Sequence, residues 1–141
     1  MKIAEIQEEI VDEFSIFDDE NWDERYQYVI DLGKTLPIIN SDYKIEANLI
    51  KGCQSKVWLH GEMNNDKVVF TADSDAILTK GIIAILIRTF SNQKPEAILE
   101  ANTAFIDQIG LKEHLSPTRA NGLVSMVKQI KMYALAFQNR I

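Results

Sequence analysis

The most reactive group in this sequence is a single thiol. Cys53 is the only cysteine among 141 residues, and it stands in a polar turn after Gly52 and before Gln54 and Ser55. A cysteine that fills a gap in a protein core usually belongs to an apolar strand or helix pattern, whereas loops on a rigid scaffold commonly carry reactive groups. The residue types alone leave two interpretations open: an inert buried cysteine and a thiolate nucleophile.

Few residues are placed to assist this thiol. A Cys-dependent hydrolase needs a base beside its nucleophile, but His60 is predicted on the solvated face of a strand, and His114 at a helix end or in a loop. One cysteine and two distant histidines also lack the paired spacing of zinc or iron–sulfur ligands. The glycine-rich phosphate loops and the GxSxG nucleophile motif are missing too. We therefore expect this protein to hold neither a metal nor a cofactor.

The composition indicates a folded globular protein that does not bind nucleic acid. Apolar residues make up 46% of the chain and charged residues 26%, which is typical of folded domains. The length fits a single domain over residues 1–141. The net charge is -6, whereas proteins that bind the phosphate backbone present clustered Lys and Arg.

Three features predict a soluble, cytoplasmic protein without membrane contact. The longest apolar run, Ile82–Ile87, is far shorter than the roughly 20 residues of a membrane helix. The N-terminal segment carries acidic residues where a signal peptide has an apolar stretch. A lone cysteine cannot form an internal disulfide, so nothing indicates an oxidising compartment.

Hydrophobic periodicity predicts the elements that hold the cysteine turn. Alternating apolar residues on either side of the turn Asn64-Asn65-Asp66 predict a β-hairpin over residues 56–72, and Asn48–Lys51 suggests a short third strand. Helical spacing predicts six helices, at about 2–14, 22–33, 76–90, 95–99, 103–109 and from 117 onwards. The predicted fold is α+β, with helices packed around a small antiparallel sheet of about three strands.

Two details of these helices are specific enough to test. The polar run at 18–21 is expected to cap the second helix, whose inward side would be Trp22, Tyr26, Val29 and Ile30. Asp73-Ser74-Asp75 is expected to cap the helix at 76–90. That helix is apolar on nearly every side and should form the buried centre of the fold.

Four ordered segments match a set of known motifs. They are Leu32–Pro37 (LGxxLP), Gly52–Trp58 (GCQSxVW), Asp73–Ala76 with Lys80-Gly81 (DSDA…KG) and His114–Leu123 (HLSPxRxNGL). These segments resemble the SufE family, whose members accept persulfide sulfur in iron–sulfur cluster assembly. The resemblance covers about residues 5 to 133, nearly the whole chain.

The resemblance implies a SufE/IscU-like fold and a role for the thiol. In this family the cysteine that matches Cys53 takes the terminal sulfur from a SufS-type cysteine desulfurase and passes it to a Suf-type scaffold complex. Such an acceptor stimulates the desulfurase and is not itself an enzyme. On this interpretation Gly52, Gln54, Ser55 and Arg119 would support the cysteine loop.

Other roles stay open at this stage. An IscU-like cluster scaffold would share the fold but needs several cluster ligands, typically cysteines, and a Cys-dependent hydrolase would need a base and an orienting residue. Asp73, Asp75 and Lys80 are candidates for partner contact. The oligomeric state is undetermined, and a homodimer is one alternative.

The proposed chemistry also predicts a mobile loop. An exposed persulfide is lost to thiols and oxidants, but burial disfavours the thiolate that must first attack. We therefore predict a loop with two positions, hinged near Gly52, in which Cys53 is sheltered in the free protein and exposed on the desulfurase.

Overall fold

A computed structural model describes residues 1–17, 22–111 and 115–139. The described helices are α1 Ile3–Phe14, α2 Trp22–Gly33, α3 Ile77–Phe90, α4 Pro95–Glu100, α5 Ala104–Gln108 and α6 Pro117–Gln138, and the strands are β1 Val57–Asn64 and β2 Lys67–Ser74. Two short 3₁₀ turns, at Ser41–Tyr43 and Glu46–Asn48, lie between α2 and β1. The α+β class and the six helices predicted from periodicity are confirmed.

The sheet among the described residues has two strands, so the predicted third strand is wrong. β1 and β2 pair antiparallel from Val57 opposite Ser74 to Asn64 opposite Lys67. Residues 46–48 form a 3₁₀ turn, and only an isolated bridge joins Leu49 to Trp58. The chain cannot extend this bridge into a strand because a turn begins at residue 51.

Helix α3 is the buried centre of the fold, as its apolar sequence predicts. Ten of its residues are buried, and the β2 strand and the helices α1, α2 and α6 all pack against it. Helix α1 turns its stripe of Ile3, Ile6, Ile10 and Phe14 into the same core. Because α3 contacts both the hairpin and α6, it fixes where α6 lies relative to the hairpin.

Helix α2 packs on α3 through a close glycine contact, and this contact decides which face of α2 is buried. A Cβ built on Gly81 would lie 2.0 Å from the carbonyl oxygen of Val29, and one built on Gly33 would lie 3.1 Å from the Gly81 nitrogen. This backbone contact buries the stripe Arg25, Val29 and Gly33. Of the residues predicted to face inward, Val29 is fully buried, so that part of the prediction is confirmed. Trp22, Tyr26 and Ile30 are only half-buried.

Arg25 is buried because it lies on the same face of α2 as Val29 and Gly33. Its guanidinium donates to the carbonyl oxygens of Phe17 at 2.9 Å and Ile109 at 3.4 Å. It also lies 4.8 Å from the ring centroid of Trp22, which is a cation–π contact. These contacts replace the water that the charge loses on burial.

The expected side-chain cap of α3 is absent. Ala76 precedes the helix in an extended conformation and makes no side-chain capping bond. The Ser74 hydroxyl accepts from the Ala76 N–H at 3.3 Å, while the Asp75 carboxylate accepts from Lys56 N–H instead. The Asp75 side chain is thus drawn to the base of the hairpin.

The structure does not describe every predicted feature. The polar run at 18–21 and His114 lie outside the described residues. Within the described ranges, no helix combines the length and the hydrophobicity needed to cross a membrane.

Candidate functional site

Backbone hydrogen bonds hold both ends of the turn that carries Cys53. On the N-terminal side, the Ile50 N–H donates to the Val57 carbonyl at 2.8 Å. On the C-terminal side, the Lys56 N–H donates to the Asp75 carboxylate at 3.0 Å, and the Asp75 N–H donates back to the Lys56 carbonyl at 3.2 Å. The free length of the loop is therefore about residues 51–55.

Gly52 is the one residue of this loop that needs the conformational freedom of glycine. Its φ is +91°, a region that residues with a side chain rarely adopt. A Cβ built there would also lie 2.6 Å from the hydroxyl oxygen of Ser125 on α6. The backbone of the loop thus lies directly on α6 at this point.

Cys53 rests on the same helix one turn earlier. Its thiol donates to the carbonyl oxygen of Gly122 at 3.7 Å, and a Cβ on Gly122 would lie 3.4 Å from the sulfur. Gly122 and Ser125 are three residues apart and share a face of α6. The sulfur therefore lies against Gly122, close enough that an added methyl group would touch it.

The surroundings of the sulfur favour the neutral thiol. Cys53 is half-buried, and burial raises the pKa of its thiol because desolvation penalises the thiolate. A carbonyl oxygen can accept a hydrogen bond only from the protonated form. In this position the thiol is half-buried, and the neutral form, which is the weaker nucleophile, is favoured.

A narrow cleft opens beside the sulfur. Its volume is about 10 Å³, which is roughly the room of one water molecule. The described residues around it come from the cysteine loop and from two helices: Cys53, Gln54, Ser55, Thr79, Ile82, Thr118, Arg119, Gly122 and Met126. None of these is a histidine, an aspartate or a glutamate, so the described lining offers no general base.

The structure brings the predicted loop residues Gln54 and Ser55 together with Arg119 at this cleft. Arg119 lies in the first turn of α6, where its backbone N–H donates to the Ser116 hydroxyl at 3.3 Å. Its side chain is exposed. A cation at a helix N-terminus is unfavourable for the helix, but Arg119 lines the same cleft as the Cys53 thiol.

Asp73 and Lys80 lie together but do not line the cleft. The Asp73 carboxylate accepts from Lys44 at 2.9 Å and lies 3.5 Å from the Lys80 ammonium group. Burial alone would raise the pKa of Asp73, but hydrogen bonds from Lys44 and from the Ser74 N–H leave it lowered. Lys44 also lies 4.6 Å from the Trp58 ring centroid. This cluster fastens the segment before β1 to the hairpin.

His60 is also away from the cleft. Its ring stacks on Tyr43 with centroids 3.9 Å apart, and it is half-buried, so the predicted solvated position is wrong. Within the residues that the structure describes, no group of three or more His, Cys, Asp or Glu side chains is arranged to hold a metal ion.

Residues 8–134 match the family model described as SufE: Fe-S metabolism associated domain. The chain belongs to the SufE family. The match spans most of the sequence, including the cysteine turn and most of α6. The resemblance found in the four motifs is confirmed, and the chain is associated with Fe–S metabolism through its family.

Curated relatives agree with this membership of the SufE family. An uncharacterized SufE-like protein of Rhizobium etli is 42% identical over 130 residues, covering 88% of this chain and 86% of its own. One of Rhizobium meliloti is 39% identical over 132 residues, covering 90% and 93%. One of Synechocystis sp. is 38% identical over 114 residues, covering 81% and 72%.

A solved structure shares the fold at lower identity. The solution structure of a hypothetical protein from Thermus thermophilus has a TM-score of 0.76 and 20% identity to this chain. It covers 93% of this chain and 94% of its own.

The structure shows what two glycines of the SufE motifs contact. The glycine of the HLSPxRxNGL segment, Gly122, lies against the sulfur, and the glycine of the KG pair, Gly81, lets α2 approach α3. Thr79 and Met126 also line the cleft, and sequence reasoning missed them. The helical period indicates that Met126 faces inward, but no local signal places it beside Cys53.

Proposed function

We propose that this protein accepts persulfide sulfur on Cys53 from a SufS-type cysteine desulfurase and delivers it to a Suf-type scaffold complex in the cytoplasm. One observation supports this most directly. The only thiol lies in a tethered loop and is half-buried against α6, beside a narrow cleft of about 10 Å³. Membership of the SufE family supports the same role.

The transfer is a thiol–persulfide exchange. The Cys53 thiolate attacks the terminal sulfur of the desulfurase persulfide, a new S–S bond forms on Cys53, and the S–S bond within the donor breaks. The electron pair of that bond leaves with the donor cysteine as its thiolate. Rate depends on the thiolate fraction, on nucleophilicity and on access, so the step requires neither a metal nor a redox partner.

The sheltered position of Cys53 must open before this attack. In that position the thiol donates to Gly122 and is desolvated, and both effects oppose deprotonation. The fixed ends at Ile50 and Lys56 restrict movement to the loop itself, with Gly52 as the hinge. A desulfurase can drive the opening only if it binds the open loop more tightly than the closed one.

The site supports the two rival functions less well. A cluster scaffold needs about three protein ligands, whereas the chain has one cysteine and the described lining of the cleft carries no His, Asp or Glu. The same lining lacks the base that a Cys-dependent hydrolase requires.

The deciding experiment mixes the protein with a cysteine desulfurase and free cysteine and measures intact mass. The wild type should gain the mass of one or more sulfur atoms and should raise the turnover of the desulfurase. Cys53→Ser should remain folded and gain none. Sulfur addition to Cys53→Ser at the wild-type level would refute the proposal, and bound iron with visible colour after anaerobic purification would favour the scaffold.

A further inference from the structure

We propose that the exposed stripe of helix α6 formed by Val124, Lys128, Met132 and Leu135 is the surface on which the sulfur-donating protein docks. We further propose that this partner presents an apolar patch bordered by carboxylates. The inference rests on the proposed function and names the docking surface for the same thiol. We call these four residues the α6 stripe.

Three of the four members of the α6 stripe are apolar, although a helix surface is normally polar, and the fourth is Lys128. Its members follow one another at intervals of four, four and three residues, so they share one face of the helix. Val124 is 51% exposed, Met132 52% and Leu135 50%. Contiguous exposed apolar side chains of this kind mark interaction surfaces, whereas isolated ones do not.

Grooves on both sides widen this surface. One, of about 460 Å³, lies between α6 and the α4–α5 region, and the other, of about 410 Å³, lies between α6 and residues 47–51. Lys128 and Met132 line both grooves. A partner on the α6 stripe can therefore place side chains on either side of it.

The charge of this face determines the kind of partner. Helix α6 contains Arg119, Lys128 and Lys131 and no acidic residue, although the chain as a whole carries a net charge of -6. Helix α1, by contrast, carries five carboxylates and no basic residue. Among the described residues that line the two grooves, the only carboxylate is Asp107.

The lysines of this face differ in their availability. The ammonium group of Lys131 is engaged within the protein, because it donates to the carbonyl oxygens of Leu99 at 3.4 Å and Ala101 at 2.7 Å. Within the described part of the chain, no hydrogen bond or ion pair engages the ammonium groups of Lys51 and Lys128. Carboxylates on a partner would pair with these two cations and set its orientation.

The α6 stripe is continuous with the Cys53 site. Ser125 contacts Gly52 in the cysteine loop, and it lines the second groove together with Lys128 and Met132. The cleft at Cys53 has room for about one water molecule, whereas a stable interface buries roughly 800 Å² of each partner, so a partner must also contact surface outside the cleft. The second groove joins the α6 stripe to the start of the cysteine loop, because Ile50 and Lys51 line it together with Lys128 and Met132.

The test measures how much desulfurase is needed for half-maximal sulfur loading of Cys53. Lys128→Glu and Met132→Glu should each raise that concentration at least about tenfold and leave maximal loading unchanged. Lys128→Gln should show a smaller increase, and the effect at Lys128 should weaken as salt is added. Far-UV circular dichroism and thermal unfolding would establish that each variant is folded.

Two matched controls make the same chemical changes elsewhere. Lys67→Glu reverses an exposed charge on the hairpin, and Ile16→Glu replaces an apolar side chain that is 80% exposed beyond α1. Both should stay within about twofold of the wild type. A low-molecular-weight persulfide, such as glutathione persulfide, should load Cys53 equally in all five variants, because it needs no docking surface.

The outcomes separate this inference from the proposed function. If the wild type takes no sulfur from any desulfurase, the proposed function fails and this inference fails with it. If the wild type is loaded but both stripe variants saturate like the controls, the docking surface alone is wrong. Sedimentation showing a wild-type dimer that the stripe variants abolish, with unchanged half-saturation, would assign the α6 stripe to self-association and overturn the inference.

Discussion

The Cys53 thiol donates to the carbonyl oxygen of Gly122 at 3.7 Å. The two residues are 69 positions apart in sequence, yet this contact determines the state of the site. It holds the sulfur against Gly122, and it engages the thiol proton, which Cys53 would have to lose in the proposed sulfur transfer. The partial burial of the thiol and its raised pKa therefore belong to the same position of the loop.

The raised pKa of Cys53 predicts how reactivity and stability depend on pH. Iodoacetamide should alkylate Cys53 in the free protein more slowly than a model peptide, with a midpoint at higher pH. Burial raises the pKa of the Cys53 thiol in the folded protein above its value of about 8.5 in the unfolded chain. At a pH between these two pKa values, the folded protein keeps the thiol proton that the unfolded chain has lost. The associated stability is fully present below the unfolded pKa and is lost as pH rises through the folded pKa.

Comparing the melting temperatures of wild type and Cys53→Ser from about pH 7 to about pH 10.5 isolates this contribution, because that range spans the ordinary thiol pKa. The wild type should lose stability relative to the variant across the alkaline range. Alkylation as fast as the peptide at every pH would show that the thiol is not sheltered, although the carrier role could still hold.

Gly122→Ala should separate stability from sulfur storage. Alanine favours helix by up to about 1 kcal/mol over glycine, and the new Cβ would lie 3.4 Å from the Cys53 sulfur, at the limit of ordinary contact. We expect unchanged or increased thermal stability but a shorter persulfide lifetime, because the added methyl group takes space beside the sulfur. The measurement is the decay of the persulfide mass in the presence of a small thiol. A lifetime equal to that of the wild type would mean that the cleft does not store the sulfur.

Gly81→Ala makes the same substitution on α3 and should have the opposite effect on stability. Its Cβ would lie 2.0 Å from the Val29 carbonyl oxygen, so α2 and α3 would have to separate. Forced overpacking of this kind should cost about 3 kcal/mol or more, measured by urea unfolding at room temperature. A loss below about 1 kcal/mol, which is typical of an average substitution, would show that this crossing tolerates a side chain.

Gly52→Val should reduce sulfur acceptance more than it reduces stability. A valine at φ +91° is strained, and the strain in one loop residue costs about 1–3 kcal/mol. The clash with Ser125 falls on the end of a side chain, so Gly52→Val/Ser125→Ala should recover part of the stability. Initial rates of sulfur loading should stay low in both variants. Loading at the wild-type rate would contradict the assignment of Gly52 as the hinge.

Arg119→Ala should slow sulfur acceptance with little change in stability. The side chain is exposed and lines the Cys53 cleft, and removing a cation from a helix N-terminus is neutral or slightly favourable for the helix. An exposed charge interaction is worth up to about 1 kcal/mol, which corresponds to roughly a fivefold slower loading rate. Arg119→Lys should recover much of that rate. Equal rates in all three proteins would exclude an electrostatic role for Arg119.

The sequence by itself determined the family, the α+β class and the bounds of most elements. These properties are encoded locally. Alternation and the turn at 64–66 predict the hairpin, helical spacing predicts the six helices, and the GCQS segment marks Cys53 from residue types alone. Local patterns suffice because hydrophobic period and turn chemistry depend on neighbouring residues.

Only the tertiary structure decided the contacts between distant residues. The close contact between Gly81 and the Val29 backbone decided which face of α2 is buried, and that face includes Arg25. The turn after Leu49 left an isolated bridge where a third strand was expected. Gly122 came to lie beneath Cys53, and the α6 stripe stayed exposed, because α3 positions α6 against the hairpin. A one-dimensional period shows which side of an element is apolar, but it cannot show what that side meets.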